Sequence, residues 1–155
     1  MTTKTVGTPR WLGHVALRVR DVDRAAAFYT EVVGLTLRKQ MYGITFLGIR
    51  EDASHEIALM PLPADAADPD PSRVGMYHFA WEMDTFEDLE KLHARLLEKN
   101  VRIGGYSPDP NSANVMFFDP EGNEMEAIWE PTQAEIDRIK ASGQPMPRLT
   151  RAPGF

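Results

Sequence analysis

The chain has 155 residues, 43% of them hydrophobic, and a net charge of -6 with a pI near 5.2. That length suits one domain, and the absence of cysteine excludes disulfides, thiolate metal sites and Cys nucleophiles, leaving His and carboxylates as the only metal donors. There is no basic stripe, no apolar signal core in "MTTKTVGTPRW" and no run approaching the ~18 apolar residues of a membrane span, so neither nucleic acid nor membrane is expected as a partner and the expected location is cytoplasmic.

Alternation in "WLGHVALRV" predicts a strand near 11–19, with His14 and Ala16 on one face and Val15, Leu17 and Val19 on the other. Asp21 then caps a helix that Gly34 ends, with Val22, Ala25, Phe28, Tyr29, Val32 and Val33 as its apolar stripe. Strands are expected near 35–40, 43–50 and 55–60, followed by a connector, "PLPADAADPDPSRVG", that holds four of the twelve prolines. "MYHFAWEM" predicts a strand over 76–83. "DTFEDLEKLHARLLEKN" predicts a helix with Asp84 and Glu87 at capping-box spacing and Phe86, Leu89, Leu92 and Leu96 in a stripe. Strands near 101–106, 113–118 and 124–129 follow, the last two joined by the turn "DPEG". "PTQAEIDRIKA" is a final helix capped at Thr132, and "SGQPMPRLTRAPGF" a flap or a loose tail.

Both halves therefore read strand, helix, strand, strand, strand. The expected fold class is α+β: paired βαβββ modules forming a concave mixed sheet with helices outside. The expected division of residues 1–155, taken as a single domain, is module one at about 11–61, a linker at about 62–75, module two at about 76–130, and a C-terminal helix and tail at 131–155. His14 and His78 occupy equivalent places in the two opening strands, in "HVA" and "HFA". Alternation in "EMEAIWE" puts Met125, Ala127 and Trp129 under the helices and turns Glu126 to the other face. Two imidazoles and a carboxylate on one face suit a divalent metal with open positions, the arrangement of non-haem Fe(II) oxygenases, also usable by Mn(II), Zn(II) or Ni(II). His93, beside the second helix's stripe, reads as structural, and Glu121, Glu124 and Glu130 as solvated. His55 and Glu56 have opposite strand parity, which leaves two possibilities: Glu56 as a fourth ligand, or Ala58 in the ligand place with His55 a spare base.

The opening "HVALRVRDVDRAAAFYTEVVGL" and the closing "FFDPEGNEMEAI", set in paired modules, resemble the vicinal oxygen chelate superfamily of glyoxalases, epimerases, antibiotic-resistance proteins and extradiol dioxygenases. The resemblance spans roughly residues 11–130. "HEIALM", "YHFAWEMDTFEDL" and "VMFFDPEGNEMEAIWE" look most like the catalytic half of catechol 2,3-dioxygenases. That likeness implies Fe(II) held by His14, His78 and Glu126, His55 as the catalytic acid and base, and ring cleavage of an aromatic diol by O2. In two places the chain departs from this pattern: the seventh-strand tyrosine position is Met116, and a loop histidine position falls near Ser107, beside which Tyr106 is a substitute hydrogen-bond donor. The resemblance also implies a homodimer. Two other classes share the fold: a glyoxalase- or epimerase-type lyase or isomerase with a redox-silent metal, and a non-catalytic, bleomycin-resistance-like binder of small molecules. A thiol-transferase resistance protein would need a cationic pocket, and the closing strands carry no Lys or Arg cluster.

Overall fold

A computed structural model describes residues 7–155. Its elements run β1 (Val15–Val19), α1 (Val22–Phe28), β2 (Thr36–Met41), β3 (Ile44–Gly48), β4 (Ile57–Pro61), β5 (His78–Glu82), α2 (Phe86–Glu98), β6 (Ile103–Gly105), β7 (Ala113–Phe118), β8 (Glu124–Trp129) and α3 (Gln133–Ala141). Two compact units divide the chain, the first ending at Asp65 and the second beginning at Ala66.

The first unit is a four-stranded sheet in the order β1-β4-β3-β2, with β1 and β4 parallel and the other pairs antiparallel. A parallel pair needs a crossover connection, and α1 supplies its helical part. Asp21 caps α1 by accepting a hydrogen bond from Arg24 N at 2.9 Å. The helix then widens into a π-helical turn over Tyr29–Val33, where Gly34 N donates to Tyr29 O at 3.0 Å, and stops as Gly34 enters the left-handed region at φ 98°. Ala25, Phe28, Tyr29 and Val32 are buried on the sheet side, opposite Leu17, Val19, Leu47, Ile57 and Leu59. The edge strand β2 is exposed along its whole length.

The second unit repeats the plan in the order β5-β8-β7-β6, again with a parallel first–last pair. Leu89, Leu92 and Leu96 of α2 cover β7 and β8, where Val115, Phe117, Met125 and Ala127 are fully buried. The α2 cap lies one residue beyond the expected Asp84: Thr85 Oγ1 accepts from Asp88 N at 3.1 Å, because Thr85, in extended conformation, directly precedes the first helical residue. The β7–β8 turn is organised by Asp119, whose Oδ1 accepts from the backbone N–H groups of Glu121 and Asn123, both at 2.9 Å. Glu121, expected in solvent, is buried there. Thr132 caps α3 in a reciprocal box with Glu135.

Gly34 has open space around the position a Cβ would take, so a substitution there tests backbone conformation alone. Gly34→Ala is expected to cost about 1 kcal/mol in a urea unfolding series, the price of a left-handed alanine.

Candidate functional site

In the first unit the chain meets β1 at His14, directly before Val15, whose N–H donates to Glu56 O at 2.9 Å. His55 and Glu56 lie just ahead of β4, so strand parity does not bind them. The His55 ring sits 4.6 Å from that of His14 and 4.9 Å, edge-on, from Phe46. Its Nδ1 pairs with Ser54 Oγ at 2.8 Å. Burial, with the positive fields of His14 and Lys39, lowers the His55 pKa below its ordinary 6.5. Glu56 goes elsewhere. Its carboxylate takes Arg50 Nε and Ile49 N, both at 2.8 Å, over Gly48, where an added Cβ would come within 2.9 Å of Oε2. Burial opposes the charge on Glu56, but these donors outweigh it and hold its pKa below the usual carboxylate value. Of the two possibilities the sequence left open, His55 is therefore the group that accompanies His14.

In the second unit His78 opens β5, and the register pairs it with Glu124 and pairs Ala80 with Glu126. Met116 stands opposite Glu126 on the other side. Period-two alternation then puts His78, Glu126, Met116 and Asn114 on one sheet face, away from the face that α2 covers. His78 Nε2 lies 3.3 Å from Glu126 Oε2. Among the described residues its buried Nδ1 has no hydrogen-bond partner, leaving the site's polar pairing unfinished. Two donors bonded at about 2.1 Å and at right angles to one ion stand about 3 Å apart, so this pair fits neighbouring positions on a divalent metal. Among the described residues, no three His, Cys, Asp or Glu side chains gather to hold a metal. His14 belongs to the first unit, and His78 and Glu126 to the second.

The residue that sequence reasoning missed is Asn114. It is buried, its Oδ1 accepts from Ser107 N at 2.6 Å, and its Nδ2 donates to Glu126 Oε1. Each end of the amide is thus engaged, and Glu126 has Oε2 turned to His78. The signal was available: a polar residue in "SANVMFF", of the same parity as Met116, on a strand apolar enough to be buried.

Tyr106, expected as a donor to substrate, has its oxygen 2.9 Å from His93 Nε2 and accepts from Ala152 N at 2.8 Å. A neutral His93 with its proton on Nδ1 accepts the Tyr106 hydroxyl proton. The tail is docked by this contact and by Arg148 Nη1, which donates to Ser112 O at 2.7 Å and to Asp109 O at 2.5 Å.

The sequence profile of the Glyoxalase/Bleomycin resistance protein/Dioxygenase superfamily matches residues 11–127, and the chain belongs to that superfamily. It is 29% identical over 118 residues to a catechol-2,3-dioxygenase of Bacillus subtilis (strain 168), covering 74% of this chain and 40% of that protein. It is also 29% identical over 122 residues to the human mitochondrial methylmalonyl-CoA epimerase, covering 71% of this chain and 66% of that one. The chain thus spans less than two thirds of either relative. A lactoylglutathione lyase from Agrobacterium tumefaciens superimposes with a TM-score of 0.61 at 26% identity, over 78% of this chain and 94% of that one. The α+β fold of paired βαβββ modules expected from the sequence is the fold of this superfamily. No helix among the described residues is long and apolar enough to cross a membrane.

Asn114→Ala strips partners from Ser107 N and from Glu126 together, and is expected to cost about 1–3 kcal/mol in chemical denaturation. Burial also lowers the His93 pKa below 6.5. The unfolded ring then binds its proton more tightly than the folded one, so this contribution to stability is full above about pH 6.5 and is lost as pH falls below it. Melting temperatures between about pH 7 and about pH 5 should fall less steeply in His93→Gln, which cannot titrate, than in the native chain.

Proposed function

We propose that the chain is a metal-dependent oxidoreductase that cleaves the ring of a catechol-type aromatic with O2, using Fe(II) held by His14, His78 and Glu126. One observation carries this reading. In the repeated register, Ala16 pairs with Ala58 as Ala80 pairs with Glu126, so Ala58 stands in the first unit where Glu126 stands in the second. With Ala58 unable to ligate and Glu56 committed to Arg50, the donor set has two imidazoles and a single carboxylate. That composition leaves exchangeable positions for two substrates and suits iron better than a site closed by a fourth protein ligand. The similarity to the Bacillus catechol-2,3-dioxygenase supports the same branch.

When bound, Fe(II) supplies Lewis acidity to an aromatic diol and a redox path between the diol and O2. The remaining work falls to side chains. Asn114 fixes the Glu126 carboxylate, so that Oε2 keeps its aim without reorganisation. His55, whose Nδ1 is paired with Ser54 Oγ, offers Nε2 in the tautomer that carries its proton on Nδ1, to take a ring-hydroxyl proton and return it later, a role generally worth about 10^2 to 10^4 in rate. The Phe46 ring packs against His55 and limits its motion. Tyr106 holds the tail instead of moving a proton. Leu37, Met41 and Met60 leave apolar surface on the first unit, which supports pairing with a second copy.

The similarity to methylmalonyl-CoA epimerase favours a second reading, proton transfer at a redox-silent metal without O2. Oxygen uptake separates the two. Protein loaded anaerobically with Fe(II) is expected to consume O2 with catechols and to form the yellow ring-cleavage product. His78→Ala and Glu126→Ala should lose iron, whereas His55→Ala should keep it and lose about 10^2-fold or more in turnover. Stoichiometric iron with no O2 uptake across the panel would sink the ring-cleavage reading.

A further inference from the structure

Beside Asn114 the second unit contains a cavity of about 380 Å³, within the range of small-molecule sites. One wall comes from the β6–β7 region, with Tyr106, Pro108 and Asn114, and the other from the docked tail, with Arg148, Leu149 and Arg151. The tail is held at two points, by Arg148 on the carbonyls of Asp109 and Ser112 and by Ala152 N on the Tyr106 hydroxyl. Phe155 adds a T-shaped contact to the Tyr106 ring, with centroids 5.8 Å apart.

The charge distribution in this cavity is unusual for the chain. The protein carries a net charge of -6, yet two arginines line one small cavity, and among the described residues neither has a carboxylate partner. Arg148 spends Nη1 on backbone carbonyls, which leaves the donors on Nε and Nη2. Among the described residues, Arg151 has a distant approach to the Tyr106 ring, 5.9 Å from its centroid. A guanidinium fork is the donor best shaped for a planar carboxylate. The apolar part of the lining, Pro108, Leu149 and the Tyr106 ring, suits a compact hydrocarbon body. Asn114 directs one donor and one acceptor to Glu126 and Ser107, which ties this cavity to Glu126.

We infer that this cavity binds a small aromatic carboxylate, with Arg151 and Arg148 taking the carboxylate and the ring lying along Tyr106 and Leu149. Resting on the ring-cleavage reading, the inference narrows the substrate to a catechol that carries an acidic substituent. The acid end would lie at the tail, against Arg148 and Arg151. The tail is then a wall of the substrate site, and Arg151 is the residue that selects for charge.

The test uses metal-free, full-length protein with benzoate and its neutral isostere benzamide as probes, followed by amide chemical shifts and calorimetry. Benzoate is expected to bind about tenfold or more tightly than benzamide, with shifts confined to residues 106–114 and 148–152. Arg151→Gln, which breaks no tail clamp, should remove most of that preference without moving the thermal midpoint. Added salt should weaken benzoate and leave benzamide unchanged, a check independent of any variant. Equal binding of the two probes, an unaltered benzoate affinity in Arg151→Gln, or shifts that map elsewhere would each overturn the proposal. Failure here is distinguishable from failure of the ring-cleavage reading: neutral catechols that consume O2 in a protein blind to benzoate remove only the carboxylate site. Benzoate captured by a protein inert toward every catechol removes only the chemistry.

Discussion

A strand that lies parallel to another cannot reach it by a tight turn, and in each half of this chain the first strand lies parallel to the last. The connection must leave the sheet, cross one face as a helix and return through two antiparallel strands. One sheet face is thereby sealed by α1 or α2, and its alternate residues become core: Leu17, Ile57 and Leu59 in one half, Val115, Phe117, Met125 and Ala127 in the other. The residues between them are left on the opposite face. His78 and Glu126 meet because β5 and β8 are neighbours in this pairing, although 48 positions separate them in the chain. Loss of the parallel pair would separate the imidazole from its carboxylate and uncover the helix-facing core together.

The same register has been used differently in the two halves. The residue beside the opening histidine's partner strand is Glu126 in the second unit and Ala58 in the first. The glutamate that the first unit does possess, Glu56, is drawn off by Arg50 and by Ile49 N over the space that Gly48 leaves open. Two equivalent scaffolds thus carry unequal donors, one contributing a carboxylate already oriented by Asn114, the other an imidazole pair with one ring kept neutral by burial and like charge.

The tail alters the electrostatic reading of the chain. The closing strands carry no cationic cluster, and on that ground an anion pocket was not expected. The guanidinium groups arrive from beyond α3 instead, in a segment with no regular secondary structure apart from its final turn, anchored by backbone carbonyls and one tyrosine hydroxyl. His93 and Tyr106 belong to this anchoring system. A buried, neutral imidazole accepting the phenol proton frees the phenol oxygen to accept from Ala152 N, so a helix residue reaches the tail through a single intermediary.

Periodicity alone determined the element order, the duplication, the caps at Asp21 and Thr132 and the placing of Glu126 on the sheet face away from the helix, because each depends on residues within a few positions of one another. It placed the α2 cap one residue early, since Asp84 and Thr85 are both good caps and only the backbone conformation chooses between them. It put Glu121 in solvent because burial of a turn carboxylate depends on how the turn folds back. The choice between His55 and Glu56 lay outside its reach, because parity rules apply only inside a strand and these residues sit just ahead of one. The hydrogen bonds of Asn114 and of Arg148 lay outside its reach as well. Their partners, Ser107 and Glu126 for the first and the carbonyls of Asp109 and Ser112 for the second, are distant in sequence and meet only after the second sheet has closed. Local order is written in neighbouring residues, whereas the aim of a side chain toward a distant partner exists only once the tertiary contacts have formed.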